Sequence, residues 1–122
     1  MNWSAIGAAA LALAVMLGAF GAHGLKGRLD SYSLGVYERA VFYHFIHALG
    51  LLVVPVFARL EMIKPGQSSL VCALLLAGVV IFCGSLYLLA VLGARWLGAI
   101  TPIGGLSFIA AWAVLAVALV RR

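Results

Sequence analysis

Residues 69–92, SLVCALLLAGVVIFCGSLYLLAVL, run through 24 positions without a charged side chain. At about 1.5 Å per residue a helix of that length rises roughly 36 Å, enough to cross a hydrocarbon core of about 30 Å. The run is continuously apolar and lacks the two-residue alternation of a membrane barrel strand. A helix also satisfies its backbone hydrogen bonds within one segment, as lipid requires. This stretch therefore places the chain in a bilayer as helix.

Three more segments repeat the pattern: Trp3–Ala22, Leu34–Ala58 and Pro102–Val120. Across 122 residues, 66% are apolar and 9% charged, with a mean hydropathy of +1.22. That is more apolar surface than a soluble domain of this size can bury. The connections are short, so successive helices must be antiparallel neighbours. The expected fold is all-α, an integral membrane four-helix bundle with up-down-up-down topology. Both termini lie on the same side, and residues 1–122 form a single membrane domain with spans near 3–22, 34–58, 69–92 and 102–120.

The net charge of +5 does not point to nucleic acid, because the eight Lys and Arg residues are scattered over loops and the last two positions. They read as anchors for anionic headgroups. The expected partners are the lipid bilayer and a membrane-protein partner or second copy of the chain, with no nucleic acid. Cys72 and Cys83 are eleven residues apart on one helix, about 16 Å, and cannot bridge each other. Each reads as a small buried apolar residue. The first segment ends in AFG at 19–21, which resembles a signal-peptidase site, but no basic region precedes it. It reads as a true first span.

Helix boundaries carry their own signals. Asp30 or Ser33 is expected to cap the second helix, Ser68 or Ser69 the third, and Thr101 followed by Pro102 the fourth. Ala10, Ala14, Gly18 and Ala22 recur every four residues and form a ridge that lets another backbone approach closely. Ala73 and Ala77, then Gly84 and Ser85, extend that pattern to the third span. For orientation, Arg59, Lys64, Arg121 and Arg122 stand against Lys26, Arg28 and Arg95. Counting Arg39 as within the span leaves the termini on the cytoplasmic side by a narrow margin.

Counting residues from each span's centre gives depths. Tyr43, His44, His47, Cys83 and Ser85 form a polar layer near the midplane. A second cluster, His23, Tyr37, Glu38, Arg39, Tyr87 and Thr101, falls at the rim near the first loop. Glu38 is the one acidic residue inside a span, a costly position unless it is paired by Arg39, Arg28, Arg95 or His23.

Histidines three apart share a helix face, and neutral rings can each donate and accept one hydrogen bond between helices. That structural role is the favoured reading of His44 and His47. A metal would need further ligands, with Cys83 the sole soft candidate at that depth. For haem, His23 is more than about 10 Å too high to act as a facing ligand. No metal and no cofactor are therefore expected. Paired carboxylates, a nucleophile with its base and a phosphate loop are also missing from the sequence, so no enzyme is expected.

Four motifs in order, GAFGAHGL (18–25), Y-x5-YHxxHALGLL (37–52), CGSLYLL (83–89) and TPIGGLSFIAAW (101–112), closely resemble small membrane proteins grouped as domain of unknown function family 423. The transmembrane protein 256 group looks like a relative. The resemblance spans essentially the whole chain and implies a four-helix protein of the bacterial inner membrane. It implies hallmark positions at Gly21, His23, Gly24, Tyr43, His44, His47, Gly50, Gly84, Ser85, Tyr87, Thr101, Pro102, Gly104 and Gly105. It implies no reaction. The expected function is a non-catalytic partner- or lipid-binding component. The alternatives are permeation of protons or a small solute through Tyr43, His44, His47 and Glu38, and then a metal- or haem-binding redox subunit.

Overall fold

The computed structural model describes residues 1–121, and they form four long helices. All four are long and apolar enough to cross a membrane: α1 (Trp3–Leu25), α2 (Ser31–Arg59), α3 (Pro65–Leu92) and α4 (Arg95–Val120). Arg122 lies outside the described residues. The helices stand as antiparallel neighbours, α1 on α2, α2 on α3 and α3 on α4. Between helices in lipid, close packing has to do what water exclusion does in soluble cores.

Asp30, one of the two expected caps, does cap the second helix, while the starts of the third and fourth differ from expectation. The second helix begins at Ser31 because Asp30 caps it, its carboxylate accepting from the Ser33 amide at 2.7 Å. The third begins at Pro65, four residues before Ser69. Pro fits the first helical position, and the Gln67 side chain closes the turn by accepting from the Lys64 amide at 2.8 Å. Ser68 is buried inside this helix instead of capping it. Thr101 follows a 3-10 turn, Arg95–Ala99, and turns its hydroxyl inward. Gly93, at φ 70°, ends α3 with a left-handed residue, and Glu61, at φ 60°, does the same for α2.

Two π-helical turns, Gly21–Leu25 in α1 and Val79–Cys83 in α3, each insert extra backbone into a span. Pro55 lies inside α2 and withdraws one amide from the ladder there. At that turn α1 comes in: a Cβ on Gly7 would lie 2.6 Å from the Leu52 nitrogen and 2.9 Å from the Leu51 carbonyl carbon. The Ser4 hydroxyl donates to the Leu52 carbonyl at 3.0 Å. Leu51, Val54, Val71, Cys72, Leu75 and Phe108 centre one core cluster, and Val36, Tyr37, Ala40, Leu86 and Leu89 a second, nearer loop one. The large side chains left exposed, among them Val15, Phe42, Leu70, Leu106 and Ile109, form the surface offered to acyl chains.

The cap makes a pH prediction. The Ser33 amide, then its hydroxyl, holds the Asp30 carboxyl below its ordinary value of 3.8. A depressed folded pKa adds stability that is present above the unfolded value and lost as pH falls through the folded one. Hydrogen exchange at the start of α2 should therefore quicken below about pH 4 in the wild type. In Asp30→Asn, which caps without a charge, exchange corrected for its intrinsic pH dependence should stay flat.

Candidate functional site

The side chains expected to form two layers separate instead into three small assemblies, with His23, Glu38 and Arg39 left apart. The first joins α2 to α3. His44 is 2% exposed, and its Nδ1 lies 2.8 Å from the Tyr87 hydroxyl. Tyr87 in turn meets Tyr37 edge to face, with ring centroids 5.2 Å apart. The Tyr37 hydroxyl donates to the Leu17 carbonyl of α1. Tyr37 and Tyr87, which sequence depth placed at the rim, thus belong with His44. Long phenol side chains reach across more than one helical turn, which a count of Cα heights misses.

The second assembly joins α2 to α4. His47 Nδ1 lies 2.7 Å from the Tyr43 carbonyl, one turn back on its own helix. A carbonyl only accepts, so this nitrogen carries the proton. The link to another helix is a ring stack: His47 lies over Phe108 at 3.5 Å between centroids and 14° between planes. Tyr43 packs beside it against Phe82 at 4.7 Å, and the Trp112 ring lies 5.8 Å from His47. The two histidines therefore hold different neighbours, His44 through a hydrogen bond and His47 through π-surface.

The third assembly ties α3 to the start of α4. Ser85 and Thr101 share a hydrogen bond of 2.6 Å between hydroxyls. Each hydroxyl has one proton, so one of the two donates across this bond and the other to a carbonyl of its own helix, with the Phe82 carbonyl oxygen 2.9 Å from the Ser85 hydroxyl and that of Leu97 3.2 Å from the Thr101 hydroxyl. Cys83 is buried and free, as is Cys72. Among the described residues no group of three or more His, Cys, Asp or Glu side chains is gathered closely enough to hold a metal ion.

His23, Glu38 and Arg39 are exposed. Glu38 makes no ion pair with Arg39, Arg28, Arg95 or His23 among the described residues. Of the small residues singled out on α1, Ala14 is fully buried and Gly18 abuts Val41, whereas Ala10 is half-buried and Ala22 exposed. On α3 and α4 the three glycines diverge. A Cβ on Gly104 would strike the Phe82 backbone, one on Gly105 would make ordinary contact at 3.7 Å, and one on Gly84 would enter open space.

Sequence reasoning overlooked Phe108, Phe82 and Trp112, which wall the His47 ring, and Ser107, whose hydroxyl donates to the Leu74 carbonyl at 2.7 Å. Ser107 carried the same signal as Ser85, a hydroxyl in the middle of an apolar span. The aromatics carried none, since a Phe in a membrane helix looks alike whether it faces a histidine or lipid.

One atom stands out. His44 Nε2 is buried and has no hydrogen-bond partner. The Ala10 carbonyl of α1 stands beside the ring. A carbonyl repels a lone pair and attracts an N–H, so the arrangement favours the proton on Nε2, with the Tyr87 hydroxyl donating to Nδ1.

Comparison with known proteins agrees with this architecture. The family model described as protein of unknown function, DUF423, matches residues 17–105. The UPF0382 membrane protein YwdK of Bacillus subtilis is 48% identical over 95% of this chain and 94% of its own length. A UPF0382 membrane protein of Staphylococcus haemolyticus is 47% identical over 90% of this chain and 88% of its own, and one of Staphylococcus epidermidis is 44% identical over 95% and 93%. No solved structure matches. With the family model covering most of its length and relatives nearly half identical end to end, the chain belongs to the DUF423 family of membrane proteins, a family of unknown function.

Proposed function

We propose that the protein is a non-catalytic component of the bacterial inner membrane, termini on the cytoplasmic side, that works by binding lipid or another membrane protein along its lateral faces. What supports this reading is the use to which the intramembrane polar groups are put. Tyr37, Ser85, Thr101 and Ser107 spend hydrogen bonds on a neighbouring helix's backbone or on each other, and His47 bonds within its own helix and stacks on Phe108 of α4. They leave no convergent set of acid, base and nucleophile aimed at a shared point.

One observation favours a second reading, proton permeation: the unpartnered Nε2 of His44, linked through its other nitrogen to Tyr87. The chain of donors goes no further, however. Tyr37 touches Tyr87 by ring edge alone, and its hydroxyl is committed to the Leu17 carbonyl.

The two readings part in proteoliposomes loaded with a pH-sensitive dye. Proton flux should match that of protein-free vesicles, and His44→Ala should leave it unchanged. A flux above that background that His44→Ala abolishes would replace the binding reading with the permeation one. Mild extraction from native membranes should in turn bring out a lipid or protein in fixed proportion to the chain.

A further inference from the structure

Between the last turns of α1 and the first turns of α2, the outer surface opens into a groove of about 490 Å³. This lies within the roughly 300–1,000 Å³ typical of small-molecule sites. Further along the same seam the helices are in close contact, at Gly7 against Leu51 and Leu52 and at the fully buried Ala14. Toward loop one two features shape the groove. The π-helical turn Gly21–Leu25 widens α1 there. The Tyr37 ring is also wedged under Gly21, where an added Cβ would lie 2.9 Å from Cδ1.

The groove has a direction. Gly18, Gly21, Val41 and Phe45 are among its walls, and Lys26 and Glu38 also line it. Lys26 directly follows α1, and Glu38 is seven residues, about 10 Å, nearer the membrane surface than Phe45 on α2. One cation and one carboxylate therefore stand at the headgroup end of an apolar channel that descends among the acyl chains. Both side chains are exposed, and among the described residues neither is engaged in an ion pair.

We infer that this groove is a binding site for a zwitterionic phospholipid whose headgroup carries a primary ammonium, phosphate toward Lys26, ammonium toward Glu38 and one acyl chain between α1 and α2. The charge pattern selects the occupant. Lys26 offers three N–H donors to a phosphate, a contact any phospholipid accepts. Glu38 discriminates among them. It repels an anionic headgroup, has no N–H to accept from a choline, and takes a charge-assisted hydrogen bond from a primary ammonium. The inference rests on the lateral-binding reading above and names its ligand and place.

The test is competition. Full-length protein in mild detergent is incubated with equal amounts of phosphatidylethanolamine, phosphatidylcholine and phosphatidylglycerol of identical acyl chains, and retained lipid is counted by native mass spectrometry. Phosphatidylethanolamine should be retained about tenfold over either competitor, the ratio expected of one charge-assisted hydrogen bond. Glu38→Gln should erase that preference, while Lys26→Gln should weaken all three lipids together. Ala22→Phe, which fills the groove at an exposed position, should also weaken all three; Ile109→Phe, on the lipid-facing side of α4, should change nothing. Equal retention of the three lipids, a preference that survives Glu38→Gln, or a second copy of the chain held in place of lipid would each overturn the site. Retention blind to headgroup would do so while leaving the lateral-binding reading intact. Retention of neither lipid nor protein would remove both.

Discussion

Gly104→Ala should destabilise the protein by about 2–3 kcal/mol, the upper part of the range for overpacking, while Gly105→Ala, one position on, should be neutral or slightly stabilising. The added methyl at 104 would collide with the Phe82 amide nitrogen and come within 2.8 Å of its Cα. Backbone cannot rotate out of the way as a side chain can, so α3 and α4 would have to separate. Separation would strain the hydrogen bonds linking them, Ser85 to Thr101 and Ser107 to the Leu74 carbonyl. At 105 the same methyl finds the Phe82 ring at 3.7 Å, an ordinary contact. Removing a helical glycine there recovers roughly 0.5–1 kcal/mol of backbone entropy. Reversible unfolding of the two variants in a detergent titration measures both values, and equal stabilities would mean that α3 and α4 do not meet at Gly104.

The second large effect is expected at His47. His47→Ala should cost about 3 kcal/mol, because it empties a slot walled by Phe108, Tyr43 and Trp112 that no neighbour can fill without moving a helix. His47→Phe keeps a ring in that slot and loses only the bond to the Tyr43 carbonyl. In membranes such bonds average about 0.6 kcal/mol. The same unfolding titration should thus rank wild type close to His47→Phe, with His47→Ala well below both. If phenylalanine proves as damaging as alanine, the hydrogen bond outweighs the stack and the side chain is held for its polarity.

These two predictions mark where reading the sequence succeeded and where it stopped. That His44 and His47 turn inward was legible, since imidazoles exposed to acyl chains are expensive and a spacing of three keeps them on one face. Their partners were not. Residue counts gave heights along the membrane normal, which put Ser85 level with the histidines and Tyr87 at the rim. In the fold Ser85 bonds Thr101, and Tyr87 reaches back to His44. Rotation of α3 about its own axis, altered by its π-helical turn at Val79–Cys83, decides which side chains face α2 and which face α4. Nothing in the spacing of those residues announces an extra residue in the turn. The start of α3 was misplaced for a simpler reason. Pro65-Gly66 reads as a loop, but proline at the first helical position opens a helix as readily as it closes a strand of coil.

The lipid-facing surface follows the same division. Which residues are apolar is written in the chain, but which of them pack inward depends on contacts sixteen to forty-eight residues apart in sequence. The α1 small residues illustrate it: a four-residue repeat drew attention to Ala10, Ala14, Gly18 and Ala22, while the seam with α2 runs through Gly7, Ala14, Gly18 and Gly21. A long helix packs at about 3.5 residues per turn against a neighbour and drifts off a strict four-residue line.

Composition and the length of its apolar runs alone commit this chain to four membrane-crossing helices, because lipid admits only helices and closed barrels and these runs lack a barrel strand's alternation. Helix rotation, the sorting of polar side chains into three braces and the groove beside Lys26 and Glu38 arise only when the helices meet. They depend on local departures from the regular α-helix, two π-helical turns and an internal proline, whose consequences appear a full helix away.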